Sequence, residues 1–260
     1  MPRDLPRALD AVRARIERLR ARRQARRAAI APDDDPHGTH DRALREAFVE
    51  TARAMNAARI NQGTSGNLSA RRSDGGGLWL TPSSLDYAAM TPADLIALDW
   101  ARKGAPDWRG RAGRRPSSEW RFHHDILQAR PEFGAVLHAH PVSATALACH
   151  SRGIEPFHYM VAIAGGRDVR CAPYALFGTQ ALSDHALAAL DGRKACLLAH
   201  HGLIACGKDL DQAFGVAVEV EALAAQFLAA SVLGPPPLLP DAEIDAVLAK
   251  IASGPGYGSA

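Results

Sequence analysis

The stretch Val136-Leu137-His138-Ala139-His140-Pro141 constrains the chain most, because an apolar run ending in two histidines one residue apart reads as a buried strand. On a strand, residues i and i+2 point to the same face about 6.6 Å apart, so both imidazoles can converge on one ion. An isolated HxH is more often a packed, hydrogen-bonded pair than a ligand pair, since so short a motif is permissive. Two further stretches shift that balance. Arg115-Pro116-Ser117-Ser118-Glu119-Trp120 offers a carboxylate, and Leu197-Leu198-Ala199-His200-His201-Gly202 offers another histidine at the end of an apolar run. Three histidines and a carboxylate, with room left for a substrate oxygen, predict a catalytic rather than a structural zinc site.

A chain of 260 residues that is 47% hydrophobic can bury one substantial core, which predicts one domain with appendages. No apolar stretch reads as long enough to span a membrane and no signal-peptide core is visible, so the expectation is a soluble, cytoplasmic protein. Cys149, Cys171, Cys196 and Cys206 form no CxxC pair and read as buried thiols of a reduced compartment.

The formal charge of +3 is unevenly spread: residues 1–30 carry ten arginines against Asp4, Asp10 and Glu17, a net of +7, leaving −4 on residues 31–260. Leu9, Val12, Ile16 and Leu19 have helical spacing, so this segment reads as a basic amphipathic helix. Contact with nucleic acid or an anionic membrane is the less favoured reading, because no aromatic or groove-reading motif accompanies the charge. A solvated extension is expected, with the boundary at the Pro- and Gly-containing run that follows: an extension over 1–40 and a folded domain over 41–260.

An amphipathic helix is expected from Asp41 to Ile60, leading into Asn61-Gln62-Gly63-Thr64-Ser65-Gly66-Asn67, a turn rich in glycine and side-chain donors that could wrap an anion. A hairpin of Leu68–Arg71 and Leu78–Thr81 ends in a second hydroxyl cluster with Ser83 and Ser84. Residues 101–115 read as a loop. Ser117 and Ser118 are expected to cap a helix from Glu119 to Ala129, and such a helix start attracts anions. Three hydroxyl clusters thus point to one phosphate. Glu119 and His123 share a helical face, with His123 and His124 read as packing or hydrogen-bonding residues rather than ligands. Later helices are expected at about 143–150, 181–190, 209–233 and 241–251, and strands at 135–140, 195–198 and 203–206.

The segments NQGTSGNLSAR, LTPSS, RPSSEWRFH, VLHAHP, HYMVAIAGG, CAPYALFGT and LLAHHGLIACG, in that order, resemble the class II aldolase/adducin family over roughly residues 41–251. The motif set is most similar to that of aldolases acting on L-fuculose 1-phosphate. The resemblance implies an α/β fold of the α+β type, with a central, mostly antiparallel sheet covered by helices. It implies a homotetramer with sites between subunits and one Zn2+ per subunit held by His138, His140 and His201, with His200 left as a neighbour. It further implies Glu119 as catalytic carboxylate and a phosphate site of Gly66, Asn67, Ser83, Ser84, Ser117 and Ser118. Tyr159 is implied as a catalytic tyrosine reaching across a subunit interface, and Tyr257 as a contribution from the tail. Ser84 departs from the family's frequent glycine.

The implied function is zinc-dependent retro-aldol cleavage of a ketose 1-phosphate, L-fuculose 1-phosphate or similar, through an enediolate held by the metal, to dihydroxyacetone phosphate and an aldehyde. A 5-deoxypentulose 1-phosphate is an alternative substrate. Sugar-phosphate 4-epimerases of the same fold have an aspartate where Glu119 stands, and methylthioribulose-1-phosphate dehydratases share the zinc and the glutamate. A non-catalytic adducin-like scaffold usually lacks the metal histidines. The expected partner is a small sugar phosphate, with no membrane and no nucleic acid.

Overall fold

The computed structural model describes residues 35–100 and 106–253. The expected basic helix of residues 1–30 and Tyr257 lie outside the described residues. Residues 35–40, on the extension side of the expected boundary, pack onto the body: the buried Arg45 guanidinium pairs with Asp35 at 2.9 Å and donates to the carbonyls of Gly38 and His40.

Eight strands form one sheet: β1 (Asn67–Arg71), β2 (Gly77–Leu80), β3 (Ile96–Asp99), β4 (Trp108–Arg109), β5 (Ala135–Ala139), β6 (Arg170–Ala172), β7 (Ala195–Leu198) and β8 (Gly202–Gly207). Their spatial order is β4-β3-β2-β1-β5-β8-β7-β6. The β6–β7 pair is parallel and the others are antiparallel. The helices are α1 (Arg42–Ala57), α2 (Trp120–Ala129), α3 (Val142–Cys149), α4 (Gln180–Ala189), α5 (Leu210–Ser231) and α6 (Asp241–Ser253).

Strand alternation sorts the core into two layers. Leu137 and Ala139 of β5, with Leu203 and Ala205 of β8, pack beneath α1, α3 and α5 against Phe48, Ala144, Val216 and Phe227. Val136, Ile204 and Cys206 face the other way, against Phe122 and Ile126 of α2 and Leu182 of α4. His138 shares the face of Val136, which turns it toward the start of α2. The expected α+β architecture is therefore present, with helices on both faces of a mostly antiparallel sheet.

Several local expectations are corrected. Residues 101–115 are not all loop, since Trp108 and Arg109 pair with β3. The helix at 119 starts one residue later, with Glu119 as its N-cap residue and no side-chain cap bond; the Ser117 hydroxyl instead accepts the Glu119 backbone N–H at 3.3 Å. Helix α5 is long and apolar enough to cross a membrane, contrary to the reading of the sequence. Ala213, Val216, Ala217, Val220, Leu223 and Phe227 line the face buried on the sheet, as in a core helix, while Ala225 and Leu228 lie on its exposed face. On the same helix, Glu221 accepts the N–H groups of Ser143 and Ala144 at the start of α3, at 2.9 and 2.8 Å.

Candidate active site

Antiparallel pairing of β5 with β8 sets Ala139 opposite Leu203 and His138 opposite Ile204, so the end of β5 meets the start of β8. Ala199, His200 and His201 form the turn between β7 and β8 at that same end. His200 takes the left-handed conformation that closes this turn, with φ 57°. Gly202 has no room for a side chain: a Cβ there would stand 2.5 Å from the Ala139 carbonyl oxygen and 2.6 Å from His140 Cδ2. The glycine lets the two strands close tightly enough to bring His140 beside His201.

One ligand atom from each of His138, His140 and His201 lies within 4.8 Å of the others. His138 is fully buried, and its Nδ1–H donates to the Leu203 carbonyl at 2.9 Å. A carbonyl only accepts, so this bond fixes the tautomer and leaves the Nε2 lone pair free. That Nε2 is 3.0 Å from His140 Nε2, near the roughly 3.3 Å that two nitrogens bonded at about 2.0–2.1 Å to one tetrahedral ion take. Burial pushes the His138 imidazole down to about 3 and lowers that of His140 as well, so the pair is neutral, the form that ligates. The donor set therefore fits a divalent ion of the zinc type.

Glu119 reaches the same point from the start of α2. Its Oε2 accepts the Asn67 amide at 2.8 Å and lies 3.3 Å from His138 Nε2. Its Oε1 is 3.2 Å from His201 Nε2 but finds no aligned donor, and is a buried oxygen without a hydrogen bond. Burial alone would raise the carboxyl pKa. The His138 and His201 imidazoles and the Asn67 amide outweigh it and hold the group well below the usual carboxylate range.

The histidines and Glu119 line a cleft of about 370 Å³, together with Ser65, Ser118, Tyr174, Ala175, Phe177 and His200. A larger cavity of about 690 Å³ lies on the other side of the serine pair, walled by Trp108, Arg114, Arg115 and Trp120. It has no ligating or acid–base side chain in its wall, so the smaller cleft is the candidate site. An isolated bridge between Pro82 and Pro116 joins the two serine-bearing loops. Within it Ser83 N–H donates to Arg115 O at 2.9 Å and Ser117 N–H to Thr81 O at 3.2 Å. This brings Ser83 and Ser84 beside Ser117 and Ser118. Ser83 and Ser84 are exposed, and Ser84 is held at φ 57°.

Gly66 lies behind Asn67, where a Cβ would meet Asn61 Oδ1 at 2.4 Å and the His138 carbonyl at 2.7 Å. The Asn67 side chain is turned to Glu119 and His123, not to the serines. Tyr159 opens a 3-10 helix, is 46% exposed and does not line the cleft. Tyr174, Phe177 and His200 line it without having been singled out from the sequence. The turn-rich segment CAPYALFGT that carries the first two was the available signal.

The family described as the class II aldolase and adducin N-terminal domain matches residues 46–228. A 5-methylthioribulose-1-phosphate/5-deoxyribulose-1-phosphate aldolase from Rhodospirillum rubrum is 51% identical over 80% of this chain and 90% of its own length. An L-fuculose phosphate aldolase from Escherichia coli K12 is 43% identical over 80% of this chain and 93% of its own. Among solved structures, an L-fuculose 1-phosphate aldolase superposes with a TM-score of 0.75 at 34% identity, covering 81% of this chain and 96% of that one.

Proposed function

This chain belongs to the class II aldolase and adducin family, and from that premise we propose that it cleaves a ketose 1-phosphate to dihydroxyacetone phosphate and an aldehyde, with zinc as its ion. The observation that carries this reading is the convergence of three imidazoles, those of His138 and His140 held neutral by burial, with one buried, partly unpartnered carboxylate. His138, His140 and His201 would hold the ion. Bound there, it supplies Lewis-acid stabilisation of the negative charge that develops on the substrate's oxygens.

The chain's own groups account for the remainder. In the cleavage direction the C4 hydroxyl loses its proton, the C3–C4 bond breaks, and its electron pair moves toward the C2 carbonyl. The proton released from the C4 hydroxyl is taken up by the ionised Glu119 carboxylate, by way of the group at the C4 oxygen, and Glu119 delivers it to C3, completing dihydroxyacetone phosphate; in condensation the same proton travels back. Ser83, Ser84, Ser117 and Ser118, with the backbone at Gly66 and Asn67, are assigned to the phosphate, whose anchoring orients the reacting carbons. Tyr159, exposed in its own subunit, is assigned to proton transfer at the C4 oxygen of a neighbouring copy in a homotetramer. Tyr257 is assigned to the same neighbourhood from the tail. A reduced, cytoplasmic setting is the location assigned; of the four cysteines, Cys196 and Cys206 are buried as expected, whereas Cys149 is exposed and Cys171 partly so, contrary to the reading of the sequence.

For the substrate, a 5-deoxy- or 5-methylthio-ribulose 1-phosphate is favoured over L-fuculose 1-phosphate. The relative named for the former is 51% identical and that named for the latter 43%, and the exposed rings of Tyr174 and Phe177 give the cleft an apolar wall. The test is coupled detection of dihydroxyacetone phosphate released from each of the three sugar phosphates, with added zinc and with chelator. Chelator-sensitive release supports the reading and the rate ratio selects the substrate; no release from zinc-loaded protein rejects it.

A further inference from the structure

Four buried side chains form a line of hydrogen bonds that ends on the candidate base. Ser69 Oγ is 2.7 Å from His123 Nδ1, His123 Nε2 is 2.5 Å from Asn67 Oδ1, and Asn67 Nδ2 is 2.8 Å from Glu119 Oε2. Ser69 and His123 are fully buried, and Asn67 and Glu119 nearly so. We propose that His123 is a positioning residue: acting through Asn67 it pins Oε2 of Glu119 and so leaves Oε1 as the oxygen that carries the proton. This deepens the aldolase reading and rests on Glu119 as its acid–base group.

The polarity of the line follows from chemistry alone. An ionised carboxylate only accepts, so Asn67 must turn its NH2 toward Glu119 and its carbonyl toward His123. A carbonyl also only accepts, so His123 must carry its proton on Nε2, and Nδ1 must accept from the Ser69 hydroxyl. Burial holds the imidazole neutral, its pKa pushed down to about 3 against a weaker upward pull from Glu119. With a single ring proton, the ring has one orientation that satisfies both neighbours. An Asn67 amide turned the other way would set its carbonyl against the Glu119 carboxylate and its NH2 against the His123 Nε2–H, so the histidine in this tautomer adds to the exclusion of that state. Pinned in this way, Oε2 faces the amide, while Oε1 is the oxygen that has no hydrogen bond.

Side-chain geometry supplies the test. A glutamine in place of His123 sets its NH2 near the Nε2 position and keeps the donor to Asn67, whereas an asparagine reaches only the Nδ1 position. With zinc-loaded enzyme, exchange of the C3 proton of dihydroxyacetone phosphate with D2O is followed together with KM and zinc content. His123→Asn is expected to lose about 10–100-fold in the exchange rate with KM and zinc unchanged, and His123→Gln to recover most of it. Equal losses in both variants, an unchanged rate in His123→Asn, or a loss confined to KM overturns the proposal. Histidine 15N NMR of the wild-type protein covers variants that do not fold: His123 must be the Nε2–H tautomer, and the Nδ1–H tautomer overturns the proposal. Wild-type enzyme that holds zinc and exchanges nothing would count against the aldolase reading itself, and the tautomer would still decide the geometry of the line.

Discussion

Asn67 on β1 and His138 on β5 stand directly opposite one another across the antiparallel pair, and Oε2 of Glu119 reaches both, at 2.8 Å and 3.3 Å. Strand register therefore places a hydrogen-bond donor and a candidate ligand imidazole on either side of one carboxylate. Each of the following expectations depends on that arrangement or on the turns that support it.

Glu119→Gln preserves shape and removes the proton-carrying group. Cleavage should fall by about 10²–10⁴-fold, the usual range for a general acid–base residue, while zinc content and phosphate affinity stay near wild type. Steady-state kinetics with metal analysis checks this, and near wild-type turnover would remove Glu119 from the chemistry.

His201→Ala takes one imidazole from the cluster of three. The variant should lose metal on dialysis at neutral pH and keep its fold, because His201 lies in a turn and not in the core. A dialysed variant that still holds one zinc per chain contradicts the ligand assignment.

Gly202→Ala tests how closely β5 and β8 must approach. The added methyl has no room between the Ala139 carbonyl and the His140 ring, at 2.5 and 2.6 Å. Metal affinity should drop at least as far as thermal stability does, read by competition with a chelator and by melting of the metal-free protein.

Ser84→Gly removes the cost of a left-handed backbone on a residue with a side chain, φ 57°. Stability should stay level or rise by about 1 kcal/mol. If the Ser84 hydroxyl contacts the phosphate as assigned, KM for the sugar phosphate should rise; an unchanged KM assigns the contact to the backbone alone.

Acid should unfold the metal-free protein early. His123 and His138 are buried with folded pKa values near 3, below the 6.5 of a free imidazole, so the unfolded chain binds more protons between these limits. Their contribution is whole above pH 6.5 and is lost as pH falls toward 3, by up to about 1.4 kcal/mol per pH unit for each group. Glu119, lowered from 4.5, adds a loss in the same direction below that value. Denaturant titrations across pH 4–8 measure the slope, and a flat profile would contradict the burial of both imidazoles as neutral groups.

β2, β5, β7 and β8 are legible in the sequence as apolar runs bounded by turns, and β1 by the glycine-rich turns on either side of it. β3, β4 and β6 are not. β4 and β6 have only two and three residues, too few for alternation to register, and both residues of β4 are exposed in a segment dense in Gly and Arg; β3, as long as β2 and β7, has no turn signal of its own to mark it off. His138 and His140 can be picked out by their spacing at the end of an apolar run, and a further histidine by the apolar run before His200 and His201, whereas the choice of His201 over His200 and the role of Glu119 come from the family resemblance. The position of Asn67 in a glycine- and hydroxyl-rich turn suggests an anion. Its side chain instead meets Glu119 and His123 through the packing of α2 on β1, a tertiary relation that no local pattern encodes. The length of α5 cannot separate a core helix from a membrane span until the sheet beneath it is known.

The pairing of β5 with β8 also dates the histidine cluster within folding. His138 lies on one short strand and His140 just past its end, but the third imidazole, in the turn before β8, arrives only when that later strand docks against β5. Contacts so distant in sequence form late, after their loop-closure entropy has been met. If the cluster holds an ion, its capture by refolding chains would be a clock: the ion would be taken up when the two halves of the sheet join, and the time of capture would report that event without any other label.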